Sequence, residues 1–504
     1  MKKIYFISLL CLSQFGWAQE NSAVKYAELI TTSDLKENLS ILASDALEGR
    51  KTGTRGQKMA AAFISNYFSE LGLTAPVNGS HYMPIDLYSV TPADIYLKAA
   101  TQRYSNFSEI IYLGSVDSGG EISTEVVFAG KGTEADYANL DVKDKAVAIQ
   151  IGSLSFGIMA GLRKVSALAR DKGAKMIFYI PASTADEFKT FAAQMQGYLS
   201  SGNLSLNKPD ATSPNKGAFF ITQAIAEKLF KTTTAKLDAA AAADPAKKAL
   251  VKIKPATVSY QVAMNIKNVK SENILGYMEG TDKKDELVVI TAHFDHIGKN
   301  STGTDDVINN GADDDGSGTV SVLQIAKAFT QAKKEGKAPR RSILFMTVTG
   351  EEQGLFGSEY YSEHPTFPLA NTVVDINIDM IGRRDPEHKG KPDYVYVIGA
   401  DKLSSELNEI NERNNKEHEK LDFDYLYNDE NHPTNLYKRS DHWNFAKKGI
   451  PIVFFFDGIH EDYHQVSDEV SKIEFDLLAK RAKTAFYTAW EVANRDGRLV
   501  VDKK

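Results

Sequence analysis

The sequence predicts an α/β domain in which helices cover a mostly parallel, mixed sheet, and three observations carry that expectation. Residues 287–290, 343–348 and 373–378 are continuous or near-continuous apolar runs, as strands buried on both faces require. Between them, residues 317–329 and 355–361 have helix-like composition and spacing. Side chains able to bind metal then recur beside these runs: His293, Asp295, Asp314, Glu351, Glu352 and Asp379. Alternating strands and helices imply right-handed crossovers. Ligands of such sheets bind outside the carboxyl ends of the strands, where these residues fall.

At 504 residues the chain is long enough for two or three domains with cores of their own. A net charge of -7 and a pI near 5.9 argue against nucleic acid as the main partner, because phosphate binding needs a concentrated basic surface. No polybasic membrane anchor is present. Residues 1–18 carry Lys2 and Lys3, an apolar core over 4–12, and Gly16-Trp17-Ala18 before Gln19, the shape of a secretory signal peptide. The apolar run is too short to span a bilayer comfortably. The expectation is therefore an exported protein, periplasmic or secreted, without stable membrane insertion. Cys11 lies inside this segment and lacks the small preceding residue of a lipoprotein site, so the mature chain would hold no cysteine. Disulfides and thiolate ligands are excluded, and any metal must be held by nitrogen and oxygen.

Taken in order, residues 32–73 read as helical, with a second helix over 56–71 showing an apolar stripe. The turn LEGRKTGTRG between the two helices reads either as a solvated connector or as a functional loop. Residues 82–260 change to short strand-like runs, among them EVVFAG and KAVAIQIG, then a helix over 162–171 and the strand KMIFYI. This is a separate module. Residues 235–250 are rich in Ala and Lys and read as a surface helix or linker. Nine of the ten histidines lie between His293 and His464, which puts the chemistry in the later half. There, IVFFF at 452–456 is another buried strand, followed by a loop with His460 and His464, and an amphipathic helix over 475–494 closes the domain. The chain divides into a signal peptide (1–18), an N-terminal helical part (19–81), the inserted module (82–260) and a catalytic domain (261–504).

Two divalent ions sharing one carboxylate need roughly five protein ligands, and the sequence offers that number. Asp295, two residues after His293 on an extended chain, lies on the same side and is expected to accept the other ring N–H. Asp314 precedes a helix start, flanked by Asp313, Asp315, Gly316 and Gly318. Glu351 and Glu352 should diverge, one toward metal and one toward substrate. The ordered set H-x-D, D-D-G-S-G, E-E, D and Y-H is far more specific than any member alone.

These motifs, AHFDHIG, GADDDGSG, TGEEQGLFGSEYY, INIDMIGR and DYHQVSD, resemble those of the secreted di-zinc aminopeptidase family, whose relatives include glutamate carboxypeptidase, glutaminyl cyclase and transferrin receptor. LEGRKTGTRG belongs to the same likeness, and the inserted module is similar to a β-rich protease-associated domain. The resemblance implies a zinc-exopeptidase fold with two Zn²⁺ per chain: His293 and Asp379 on one ion, Glu352 and His464 on the other, and Asp314 bridging. It implies Glu351 as general base, Tyr463 as a residue that polarises the scissile carbonyl, Arg439 as a substrate contact, and a cis peptide between Asp314 and Asp315. The expected substrates are peptides, cleaved from the amino end. The excess of carboxylates suits an α-ammonium group, whereas a carboxypeptidase of the same scaffold would want converging cations. Arg383 and Arg384 read as solvated loop charges. A metal-stabilised binding protein is the non-enzymatic alternative, and the intact Glu351 position argues against it.

Overall fold

A computed structural model describes residues 22–114, 117–200, 202–209, 217–243, 248–300 and 305–503; the expected signal peptide lies outside them. The chain forms two compact units. One joins the chain up to Asp86 with residues from Lys270 onward, and the other is Leu87–Val269. The chain passes between them in two long strands, Tyr82–Ala99 and Ala256–Met278, the same strands in which the sequence-based cuts at 82 and 260 fall.

In the first unit the hydrogen-bonded strand order is Asp422–Asp424, Tyr394–Ile398, Ile452–Phe456, Thr372–Ile378, Lys283–His293, Arg341–Val348 and the end of Ala256–Met278. Four of these six pairings are parallel and two antiparallel, so the sheet is mixed and mostly parallel. Alternate residues of each strand feed two cores because successive side chains point to opposite faces. Val288, Ile290, Ile343, Phe345, Val374 and Ile376 pack with the helices Thr32–Leu42, Arg55–Leu71, Gly318–Lys334, Ser405–Glu417 and Phe475–Asn494. Leu287, Val289, Leu344, Met346, Phe454 and Phe456 pack on the other face with Tyr361 and Phe445, from the helices Phe356–Glu363 and His442–Ala446. Burial on both faces explains why these strands read as unbroken apolar runs.

In the second unit, Ile122–Phe128, Ala146–Ile151, Met176–Pro181 and Ala218–Ile221 pair in parallel in that order. Ile110–Leu113 and the start of Ala256–Met278 flank them antiparallel. The helix after the second strand is Phe156–Asp171, and Ala185–Ser200, Gln223–Phe230 and Thr234–Ala242 follow. The Ala-rich stretch is thus partly helix, anchored by buried Leu237 and Ala240. The unit has parallel strands and helices besides its β-rich edges.

Candidate metal centre

The strand Lys283–His293 ends on His293, and Arg341–Val348 and Thr372–Ile378 end just before Glu351 and Asp379. Their parallel alignment brings these carboxyl ends together. Asp314 comes from a tight turn, residues 312–317, before the helix Gly318–Lys334. Gly311 enters that turn at φ +56°, where a Cβ would stand 2.3 Å from the Asp314 carbonyl and 2.6 Å from the His296 ring. At Gly318 a Cβ would meet the Ile378 carbonyl at 2.3 Å, so the helix start abuts the strand end only because a side chain is missing. The Asp314–Asp315 peptide is cis.

The two neighbours of Asp314 bind backbone. Asp315 accepts from the amides of His293 (3.0 Å), Met380 (3.1 Å) and Gly318 (2.9 Å). Asp313 accepts from the Gly382 amide at 2.6 Å and pairs with His460 Nε2 at 3.1 Å. Asp468 in turn accepts from the amides of Asp313 and Asp314. Each carboxylate ties together loops that carry expected ligands. Asp457 lies with Asp313 and His460, but it already accepts from the Arg383 amide at 2.5 Å and faces Arg481 at 3.3 Å.

Between these supports the expected ligands converge. Nε2 of His293 lies 3.2 Å from Asp314 Oδ1 and 3.6 Å from Asp379 Oδ1. Nε2 of His464 lies 3.0 Å from Asp314 Oδ2 and 3.1 Å from Glu352 Oε2. Glu351 Oε2 is 3.9 Å from His293 Nε2. His296 Nε2 is buried without a hydrogen-bond partner, while Asp314 Oδ2, Glu352 Oε1 and His296 Nδ1 are buried with only close imidazole–carboxylate approaches, from His464 and between His296 and Glu352, and no well-aligned hydrogen bond. Buried polar atoms are normally satisfied, and an imidazole–carboxylate set with orphaned donor atoms is what a nitrogen- and oxygen-bound divalent ion would complete.

The charges follow from the crowding. Burial opposes the charged form of His293, but Glu351, Asp379 and Asp314 outweigh it and hold its pKa well above the usual imidazole value. Burial likewise works against His464, yet Asp314 and Glu352 raise it to about 10. Asp314 is held well below the carboxylate range despite burial, through His293 and His464. The adjacent glutamates part company. Burial pushes Glu351 well up, with Asp379 and Glu352 adding to it against His293; Glu352, equally desolvated, is kept low by His296 and His464.

Several expectations need correction. His293 Nδ1 is 3.0 Å from the Asp295 carbonyl oxygen and 4.0 Å from its carboxylate, so the ring is oriented by backbone. The strand ends at His293, and side-chain alternation ends with it. The Asp295 carboxylate accepts from Thr52 Oγ1 (2.6 Å) and the Glu351 amide (3.3 Å), and burial pushes its pKa up to about 6. Arg383 and Arg384 are not solvated: Arg383 is buried and paired with Asp462 at 2.9 Å, and Arg384 pairs with Asp393 and Glu474. LEGRKTGTRG is no solvated connector, because Arg50 is fully buried.

Tyr463 stacks on His464 with ring centroids 3.9 Å apart. It lines a cleft with His293, Asp314, Glu351, Asp379, Met380, Leu436, Arg439, Ser440, Phe454, Phe456 and Ile459. Arg439 is exposed there. Two residues were missed by sequence reasoning. Ser440 donates to Asp379 Oδ2 at 2.6 Å, and His296 Nδ1 sits 2.7 Å from Glu352 Oε1. The second histidine of AHFDHIG was the available signal for the latter.

Known proteins share sequence and fold with parts of this chain. Residues 273–489 match Peptidase family M28. Aminopeptidase YwaD of Bacillus subtilis (strain 168) is 26% identical over 245 residues, covering 47% of this chain and 48% of its own length. The "probable leucine aminopeptidase 2" of Aspergillus oryzae is 26% identical over 452 residues, covering 82% and 78%. A vacuolar membrane protease of Tuber melanosporum is 36% identical over 107 residues, 21% of this chain and 10% of that one. The chain thus spans from a tenth to about half of the length of the first curated relatives it matches. An aminopeptidase from Aneurinibacillus sp. strain AM-1 has the same fold, with a TM-score of 0.53, 19% identity, and coverage of 96% of this chain and 98% of that one. Over residues 273–489 the chain is thus similar to Peptidase family M28.

Proposed function

We propose that this protein is an exported di-zinc aminopeptidase that hydrolyses the first peptide bond of peptides, with Glu351 as general base. The observation that carries the reading is the division of Asp314: Oδ1 faces His293 beside Asp379, and Oδ2 faces His464 beside Glu352. Two metal positions with one shared carboxylate account for that arrangement. Zinc, when bound, supplies Lewis acidity that acidifies water toward a pKa of about 7 and polarises a carbonyl.

The residues supply the rest. Glu351, on the cleft wall 3.9 Å from His293 Nε2 and outside the two Asp314 pairings, is placed to take a proton from the attacking water and return it to the leaving amine, while Glu352, 3.1 Å from His464 Nε2, serves as a ligand. Tyr463, beside His464 on the cleft wall, is placed to donate to the carbonyl oxygen. Amino-end cleavage is favoured because the cleft is lined by three carboxylates, Asp314, Glu351 and Asp379, against a single arginine, Arg439. Arg383 and Arg384, the further cations a carboxypeptidase would need, are held in ion pairs elsewhere. The aminopeptidase names of YwaD and of the Aspergillus oryzae relative support the same end of the peptide. Export rests on residues 1–18 of the sequence.

One peptide in two forms tests the reading. Amino-acetylation should abolish cleavage and carboxyl-amidation should be tolerated, with a chelator stopping cleavage of the amidated form; the reverse pattern would transfer the assignment to a carboxypeptidase. Glu351→Gln should keep its metal and lose about 10²–10⁴-fold in turnover, whereas Glu352→Gln should lose metal as well.

A further inference from the structure

The loop LEGRKTGTRG lies some 240 residues before the site in sequence and ends up beneath it. Residues 45–50 form a short 3-10 turn. From it the Arg50 side chain enters the interior and donates to four carbonyl oxygens: Leu42 (2.9 Å), Phe294 (2.8 Å), Asn310 (2.5 Å) and Gly311 (2.9 Å). Phe294 directly follows the ligand His293, and Gly311 opens the turn that carries Asp314. The guanidinium therefore joins the two ligand-bearing loops to each other and to the last turn of the helix Thr32–Leu42. A planar fork with five fixed donors can do this, and an ammonium cannot. The close fit is visible at Gly49, where a Cβ would stand 2.4 Å from the Asn309 carbonyl and 2.7 Å from that of Gly298.

Two residues on, Thr52 is buried and donates Oγ1–H to Asp295 Oδ2 at 2.6 Å. The other oxygen of Asp295 accepts from the Glu351 amide, and its carbonyl faces His293 Nδ1. One hydroxyl thus fixes the residue that holds both the backbone of Glu351 and the ring of His293.

We propose that Arg50 and Thr52 are positioning residues: Arg50 sets the spacing of the His293 and Asp314 loops for zinc, and Thr52, through Asp295, sets the placement of Glu351. The inference rests on the assignment of Glu351 as general base and concerns groups that touch neither metal nor substrate.

Thr52→Val is near-isosteric and removes only the donor. In the zinc-loaded full chain it should lower kcat at least about tenfold, leave KM within about twofold and retain zinc, and Thr52→Ser should restore kcat. Arg50→Lys keeps the charge and loses the fork; competition with a chromophoric chelator should show zinc affinity weakened about 10–100-fold with the fold retained by circular dichroism. Wild-type kcat in Thr52→Val, or failure of Thr52→Ser to restore a lost kcat, overturns the role of Thr52; wild-type zinc affinity in a folded Arg50→Lys overturns that of Arg50. If Arg50→Lys does not fold, the proposal stands or falls on the Thr52 pair. Glu351→Gln assayed alongside separates the two questions: full turnover there removes the general base itself, whereas an inactive Glu351→Gln beside a fully active Thr52→Val removes only the positioning role.

Discussion

Oδ2 of Asp314 lies 3.0 Å from Nε2 of His464 while its other oxygen is 3.2 Å from Nε2 of His293, and the proposed bridging role rests on this division. Asp314→Asn keeps shape and one acceptor oxygen but removes the charge shared by both metal positions. Metal content, expected at about two per chain in the wild type under the proposed function, should fall for both ions together. Loss of a single ion with the other held at its original affinity would show that the carboxylate serves one position only.

His296 should matter to zinc without being one of the five expected ligands. Its buried ring, packed against Gly311, puts Nδ1 2.7 Å from Glu352 Oε1 and 3.8 Å from Asp314 Oδ2. An imidazole on the outer oxygen of Glu352 leaves Oε2 turned toward His464, and outer partners of this kind are worth about 10–100-fold in metal affinity. His296→Ala should weaken one of the two zinc ions by that factor in a chelator competition. Unchanged affinity for both would leave His296 a packing residue.

The legible part of this site was the part set by strand ends. His293, Glu351, Glu352 and Asp379 each follow an apolar run, and a strand buried on both faces announces its own end. What failed depended on the chain after that end. Once it leaves the strand at His293, period-two reasoning no longer says where Asp295 and His296 point. The carboxylate thus turned to Thr52 and the imidazole to Glu352. Arg50 and Ser440 were illegible for a different reason. Their partners, Gly311 and Asp379, are 261 and 61 residues away, and no local pattern encodes a contact at that separation.

Zinc affinity should rise with pH. Without metal the surrounding carboxylates raise His464 to about 10 and His293 well above its ordinary value, which favours the protonated imidazoles near neutral pH, so zinc binding is expected to displace protons. The sign follows. Below those pKa values each displaced proton makes binding about tenfold weaker per unit fall in pH. Calorimetry in buffers of different ionisation enthalpy should record proton release on zinc binding near pH 7, and chelator competition between pH 6 and 8 should show the matching slope. A flat profile without proton release would contradict these charge states.

The cleft predicts the preferred first residue. Beside the carboxylates, Met380, Leu436, Phe454, Phe456 and Ile459 form an apolar wall, and all but Ile459 are buried. Desolvating a leucine-sized side chain there is worth roughly 1.5–3 kcal/mol relative to leaving it in water, most of which an alanine forgoes. Leucyl or phenylalanyl peptides should therefore exceed alanyl ones by about 10–100-fold in kcat/KM. Ile459→Ala, at the half-buried end of the wall, should narrow the leucyl-to-alanyl ratio about fivefold while leaving zinc content unchanged. Glutamyl substrates outrunning leucyl ones would mean that exposed Arg439, rather than the apolar wall, selects the side chain.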